Sequence, residues 1–325
     1  MRTPIGRAVK GSLKDMRADD LAAVPLVALQ ERNPDVDFSE TVDILWGAAN
    51  HEGEQGMNLG RNAGLLAGID HHVPGLTLNR FCSSSLQTAR MAAHAIRAGE
   101  GDVFLAAGVE TVSRFEKGNS DAWPDTHNPL FADAEQRTAD VAAAGATEWH
   151  DPRADGLYPD PYIAMGQTAE NVALAEGVTR EEMDRFAVRS QQNAARAQDS
   201  GFWAREITPV RLPDGSVMEH DDSPRPGTTY EALADLKPVF RPDGRITAGN
   251  ACPLNDGAAA LVIMSAERAE ALGITPLARI VSTAVSALSP EIMGLGPIEA
   301  SARALARAGL TVGDVDLVEI NEAFA

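Results

Sequence analysis

The chemistry this chain could perform begins with its two cysteines, Cys82 and Cys252. Cys82 stands in LNRFCSSSLQTARMAAHAIRAG, between a strand-like run and an amphipathic run that carries Leu86, Ala89, Ala93 and Ile96 on one helical face. A cysteine at a helix start meets free backbone N–H groups and the positive end of the helix dipole. Both favour the thiolate, which is the nucleophile, and the serines that follow are of the type that caps helices. Free cysteine is also among the most buried residue types, so on position alone a structural role outweighs a catalytic one. Cys252 lies in AGNACPLNDG, a loop rich in Gly, Pro and Asn, where the same reading leads. None of the seven histidines (51, 71, 72, 94, 127, 150 and 220) shows spacing that marks it as a partner of Cys82, and His94 lies too far along the same helix to touch it. There is no C-x-x-C pair and no zinc-type His spacing, so no metal is expected.

The elements that must position Cys82 alternate. Asp20–Leu29 reads as a helix, Val42–Ala48 as a buried strand, and Met57–Ile69 as a helix ending near Gly68. Leu76–Phe81 is strand-like, Ser83–Ala98 is a helix stopped by Gly99, and Val103–Val109 is a buried strand. This order predicts an α/β sheet covered on both faces. From about Ser113 to Val239 the chain is rich in Asp, Pro and turn residues, with helices near Gly166–Glu176 and Arg180–Ser200. Thr179 and Glu182 form a capping-box pattern before the second of them. The segment reads as an insertion that covers something. After it the α/β pattern resumes, with strands expected at Ala258–Met264, Leu277–Leu288 and Asp316–Ile320 and a helix at Ile298–Ala308. A helix leading to VDILWGAAN and a later helix leading to VDLVEINEA suggest two related halves, the second of them short.

Composition sets limits. The chain has 325 residues, 44% of them hydrophobic, and a formal net charge of −19. Such acidity repels nucleic acid and anionic membranes, so any phosphate must be met by a local basic or helix-terminus feature. MRTPIGRAVK lacks the apolar core of a signal peptide, and the longest apolar runs are too short for a bilayer. A reducing cytoplasm is the expected setting.

Several segments, in order, resemble thiolases: RTPIGR at Arg2, NRFCSSSLQ around Cys82, GVETVS at Gly108, MGQTAENVA at Met165, LKPVF at Leu236, TAGNACPLNDGAAALVIMS at Thr247, MGLGPIEA at Met293 and NEAFA at Asn321. The resemblance runs from Met1 to Ala325 and implies a fold of duplicated αβαβα layers with an inserted loop domain. The first half would be 1–112 with 241–270, the inserted loop domain 113–240, and the start of the second half 271–325. It implies that Cys82 carries the acyl group as a thioester. Asn321 would position a water in an oxyanion site. Arg225 matches a residue near the nucleotide end of coenzyme A, and Met165, Phe240, Ala248, Cys252 and Phe324 match positions along the pantetheine tunnel. Cys252 replaces the serine of many relatives, and Ala164 stands where some short-chain members have a histidine.

The implied activity is acyl-CoA C-acyl transfer, with coenzyme A as substrate and no permanently bound cofactor. The implied assembly is a homodimer or homotetramer, with no nucleic acid partner and no membrane insertion. The family has a strand before RTPIGR and, after N-E-A-F, a Gly-His-Pro segment and a Gly-rich segment with a second cysteine. These supply the base for the nucleophile and the acid/base at the substrate's α-carbon. Their absence from the sequence predicts a truncated chain with little activity of its own. Two competing readings are a degenerate thiolase-like acyl-CoA-binding protein and a ketoacyl synthase, which shares C-S-S-S at a helix start but has a His-containing Gly-Thr-Gly segment not found here.

Overall fold

A computed structural model describes residues 1–115, 125–145 and 148–325. The chain divides into two units, each assembled from three stretches. The first comprises Met1–Ala122, Ala197–Pro224 and Pro253–Ile280, and the second Trp123–Arg196, Arg225–Cys252 and Val281–Ala325.

The first unit is built on β1 (Gly6–Arg7), β2 (Ile44–Gly47), β3 (Gly75–Leu78), β4 (Val103–Thr111) and β7 (Asn255–Met264). Their order across the sheet is β1-β7-β4-β2-β3. Strands β3, β2 and β4 run parallel, and β7 is antiparallel to β4 from Asp256 to Met264. Helices α1 (Ala18–Arg32), α2 (Leu59–Leu66), α3 (Ser84–Ala98) and α8 (Ala266–Ala271) belong to this unit, with the small hairpin β5 (Val210–Arg211) and β6 (Val217–Met218). The period-two alternation of the strands divides the core. Ile44, Trp46, Leu105 and Ala258 pack with Leu21, Leu26 and Leu59 in one cluster. Leu45 and Phe104 pack with Ala92, Met91 and Ile96 of α3 in another. Residues alternating along one strand thus enter different clusters, as an α/β sheet with two covered faces requires.

The second unit contains α4 (Ala132–Ala144), α5 (Met165–Ala175), most of α6 (Arg180–Asp199), α7 (Tyr230–Ala234) and α9 (Gly296–Ala308). The Thr179–Glu182 capping box forms: the backbone N–H and hydroxyl of Thr179 donate to Glu182, whose own N–H donates to Thr179 Oγ1.

Two expected strands do not form. Among the described residues, neither 277–288 nor 316–320 joins a ladder. Around 282–286 side chains bridge to main chain instead: Ser282 donates to Ala304 O, Ser286 to Gly296 O and Arg303 to Val285 O. In the other segment Leu317 is 86% exposed and Val318 63%. An apolar pattern reports a preference for extended backbone, and a strand needs a neighbouring backbone as well. No described helix is long and apolar enough to cross a membrane.

Candidate active site

Cys82 sits in a 3₁₀ turn, Phe81–Ser83, between the end of β3 and the start of α3, and its side chain is exposed. The turn is held from both ends. Asn79 accepts from Phe81 N at 2.6 Å and donates to Ala49 O at 2.8 Å. Ser84, fully buried, accepts from Arg80 N at 2.8 Å and donates to Phe81 O at 2.7 Å. Phe81 adopts φ = +46°, a conformation costing a non-glycine residue about 1 kcal/mol or more, which these bonds must offset.

Two glycines set how closely α3 approaches the sheet. Gly47 of β2 and Gly108 of β4 are register partners. A Cβ at Gly47 would lie 2.6 Å from the backbone of Ser84 and Ser85, and one at Gly108 2.0 Å from Ser85 Oγ. The first turn of α3 therefore rests on bare backbone, which fixes Cys82 relative to the sheet. This corrects two expectations. The buried face of α3 is Ser84, Thr88, Ala92 and Ala93, while Leu86 is 74% exposed. Large side chains cannot fit where a helix end touches glycines. The helix also lacks a side-chain cap, because Ser83 Oγ donates back to Arg80 O and Ser84 serves the turn.

Glu110, on β4, escaped sequence analysis. It accepts from Ala49 N at 2.7 Å and from Gln55 Nε2 at 2.8 Å. Gln55, 1% exposed, accepts in turn from Thr111 N and Oγ1. The Ala49 that Glu110 holds is the residue whose carbonyl receives Asn79. The only signal for it was the segment GVETVS, where Glu110 looks like a strand-end surface acid.

The remaining candidates all lie in the second unit and gather in two groups, with one outlier. Met165 opens α5, and the Phe240 ring lies on the next residue, Gly166, where a Cβ would come within 2.1 Å of it. Gln167 donates to Phe240 O at 2.8 Å and accepts from Arg241 Nε at 2.8 Å. Arg241 is 4% exposed, and burial pushes its pKa down against the nearby charges of Glu170 and Asp243. The carboxylate of Glu170, also buried, accepts from Arg245 N and Ile246 N.

The second group surrounds the turn Thr247–Asn250, which carries the exposed Ala248. Asn250 accepts from Thr247 N at 2.8 Å and donates to Asp184 Oδ1 at 2.9 Å. Ala251 and Phe324 form an antiparallel bridge, and Cys252 N donates to Ala323 O at 3.0 Å. Phe324 thereby lies opposite Ala251 and Cys252 opposite Ala323, and the Cys252 side chain is exposed. Asn321 is exposed and lines a cavity of about 380 Å³ with Phe186, Arg189 and Phe324. Glu322 accepts from Ser190 Oγ. Arg225, the outlier, is exposed, with its N–H donating to Gln191 Oε1 at 2.7 Å.

Among the described residues one trio could offer three metal ligands within 4.8 Å: Asp70, His71 and His72. All three are exposed, and His72 already pairs with Asp70 at 2.8 Å.

The arrangement offers an accessible thiol on a rigid turn and, separately, a unit whose aromatic, methionine and small residues leave exposed edges. Comparison with known sequences agrees with it. The family described as "Thiolase, N-terminal domain" matches residues 1–267, and "Thiolase, C-terminal domain" matches 274–325. The chain is 46% identical to the 3-oxoadipyl-CoA/3-oxo-5,6-dehydrosuberyl-CoA thiolase of Escherichia coli K12, a match covering 100% of this chain and 79% of that protein. It is 45% identical, with the same coverage, to the beta-ketoadipyl-CoA thiolase of Pseudomonas aeruginosa. It is 42% identical to the 3-ketoacyl-CoA thiolase of Marinobacter nauticus, covering 100% of this chain and 78% of that protein. With both domain descriptions matched in order and such relatives along its whole length, the chain belongs to the thiolase family, whose members are acyltransferases.

Proposed function

We propose that the acyl transfer of this family, between a 3-ketoacyl-CoA and coenzyme A, runs here through a thioester on Cys82. The observation that carries this reading is the exposed Cys82 thiol on a turn braced by Asn79, Ser84 and the Gly47–Gly108 contact. In the first half-reaction the thiolate attacks the keto carbon. The bond between that carbon and the α-carbon breaks, and its electrons leave as the enolate of acetyl-CoA, which takes a proton at carbon. In the second, the thiol of a new coenzyme A loses its proton, attacks the thioester carbonyl and releases Cys82 as thiolate. Nucleophilic catalysis of this kind splits one difficult step into two easier ones.

Asn321 acts through a water on the oxygen that becomes negative; a donor of this kind is typically worth ~2.7–4 kcal/mol. Met165, Phe240, Ala248, Cys252 and Phe324 line the pantetheine path, and Arg225 meets the nucleotide end. A guanidinium there supplies the local positive charge that a chain of net charge −19 needs to hold a phosphate. Segment 113–240 contributes through Met165, Arg225 and Phe240. Coenzyme A is a substrate rather than a resident cofactor, and the working form is a cytoplasmic homodimer or homotetramer.

Because relatives at 45–46% identity bear names for 3-oxoadipyl-CoA or beta-ketoadipyl-CoA, acyl chains ending in a carboxylate belong in the test. The protein is incubated with acetyl-CoA and digested, and the adduct is mapped by mass spectrometry. Thiolysis of 3-oxoadipyl-CoA is then compared with that of 3-oxohexanoyl-CoA. Acetyl on Cys82 is expected; acetyl on Cys252 with none on Cys82 overturns the reading.

A further inference from the structure

We infer that Gln167 is a positioning residue for coenzyme A, acting through Phe240. The inference rests on the reading of Phe240 and Met165 as pantetheine contacts.

Gln167 is 7% exposed and its amide has one consistent orientation. Its oxygen faces Arg241 Nε, which can only donate, and its nitrogen faces Phe240 O, which can only accept. Arg241 is anchored a second time, through Nη2 to Asn171 Oδ1 at 2.6 Å. The Phe240–Arg241 dipeptide is therefore plugged into α5 by the guanidinium. The Gln167 amide fixes the Phe240 carbonyl, and the ring settles on Gly166 beside Met165. Among the described residues no carboxylate lies within salt-bridge distance of this buried guanidinium, which makes it a costly way to hold two helix side chains. A carboxylate at either amide position would pair with it better. At 167, however, a carboxylate cannot donate to Phe240 O.

Asn171 supplies a matched control. It too presents an amide oxygen to Arg241, and it donates its Nδ2 to a different carbonyl, Glu291 O, at 2.9 Å. Gln167→Glu and Asn171→Asp each give Arg241 a carboxylate and each remove the donor from one carbonyl. Only the first releases Phe240.

Coenzyme A binding is measured by calorimetry on wild type and both variants, beside thermal melting. In Q167E the Kd should rise about 5–10-fold, the size of one hydrogen bond's net contribution, while Tm stays level or rises. N171D should bind like wild type. Equal affinity in Q167E and wild type overturns the inference, and so does an equal loss in both variants. If Q167E does not melt cooperatively, Arg241→Lys takes its place. That change keeps the charge but cannot hold Gln167 and Asn171 together, and the same rise in Kd is expected; unchanged affinity again overturns the inference. If wild type binds no coenzyme A, the underlying reading fails and takes this one with it. Binding without the predicted difference sinks this one alone.

Discussion

The two units place their candidate residues by different means. In the first, the start of α3 below Cys82 lies directly against the bare backbone of Gly47 and Gly108, and the short side chains of Asn79 and Ser84 close the turn onto its main chain. In the second, side-chain relays hold Met165 and Phe240 through Arg241–Gln167 and Ala248 through Asp184–Asn250, while Phe324 sits on a backbone bridge to Ala251. Backbone contacts leave little room to adjust, whereas side chains can re-pack. A nucleophile profits from the first kind of support. A surface that must admit a long, flexible ligand profits from the second.

The sharpest break of this comparison is removal of the Cys82 thiol, the nucleophile of the proposed reaction. Cys82→Ala should lower acyl transfer by about 10³-fold or more and leave melting unchanged, since the thiol is exposed. Cys252→Ser should still acquire acyl label at Cys82, read by mass spectrometry. Activity surviving in the Cys82 variant would dissolve the distinction between the two units.

Next come two glycine substitutions that look alike in sequence. Gly47→Ala sets a methyl against the backbone of Ser84 and Ser85 and should destabilise by about 3 kcal/mol in denaturant unfolding, with a changed rate of Cys82 alkylation. Gly166→Ala sets one against the Phe240 ring, which can swing aside. Its stability cost should stay below about 1.5 kcal/mol, and its main effect should be a weaker affinity for coenzyme A in calorimetry. Equal stability losses in the two variants would show that both units are equally rigid.

The smallest effect concerns pH. Glu54, in the first unit, accepts from Ala18 N at the start of α1 and pairs with Arg17 and Arg114. Burial pushes its pKa up, but the bonds from Arg114 and Ala18 and the two positive charges outweigh this and leave it lowered. A lowered carboxylate stabilises fully above its unfolded value, near 4.3, and loses that contribution as pH falls through the folded value. Glu54→Gln should therefore cost about 1 kcal/mol at neutral pH. It should also flatten the acid limb below about pH 4, as followed by melting temperature against pH.

Much of this was legible in the residues. The α/β alternation, the helix starting just after Cys82 and ending at Gly99, and the Thr179–Glu182 cap all follow from local pattern, because caps and periodicity are properties of neighbouring residues. The buried face of α3 was legible only in part. Ala93 and Ile96 of the expected apolar stripe do pack inward, but Leu86 is exposed, and Ser84, Thr88 and Ala92 are inside. Glu110 was also missed, since its partners Ala49 and Gln55 come from a loop distant in the chain.

By itself the sequence determined the family and, for the first unit, the order of helices and strands. Side-chain type, local periodicity and motif order are written in consecutive residues. Only the tertiary structure decided which apolar runs become strands, that Ser84 and Thr88 rather than Leu86 face inward on α3, and which amide meets the Phe240 carbonyl. Residues 103–109 join a ladder, whereas 277–288 and 316–320, with comparable apolar character, do not. A ladder, a glycine-lined contact and a buried amide relay each need two chain segments at one place, and no single stretch of sequence specifies what will lie beside it.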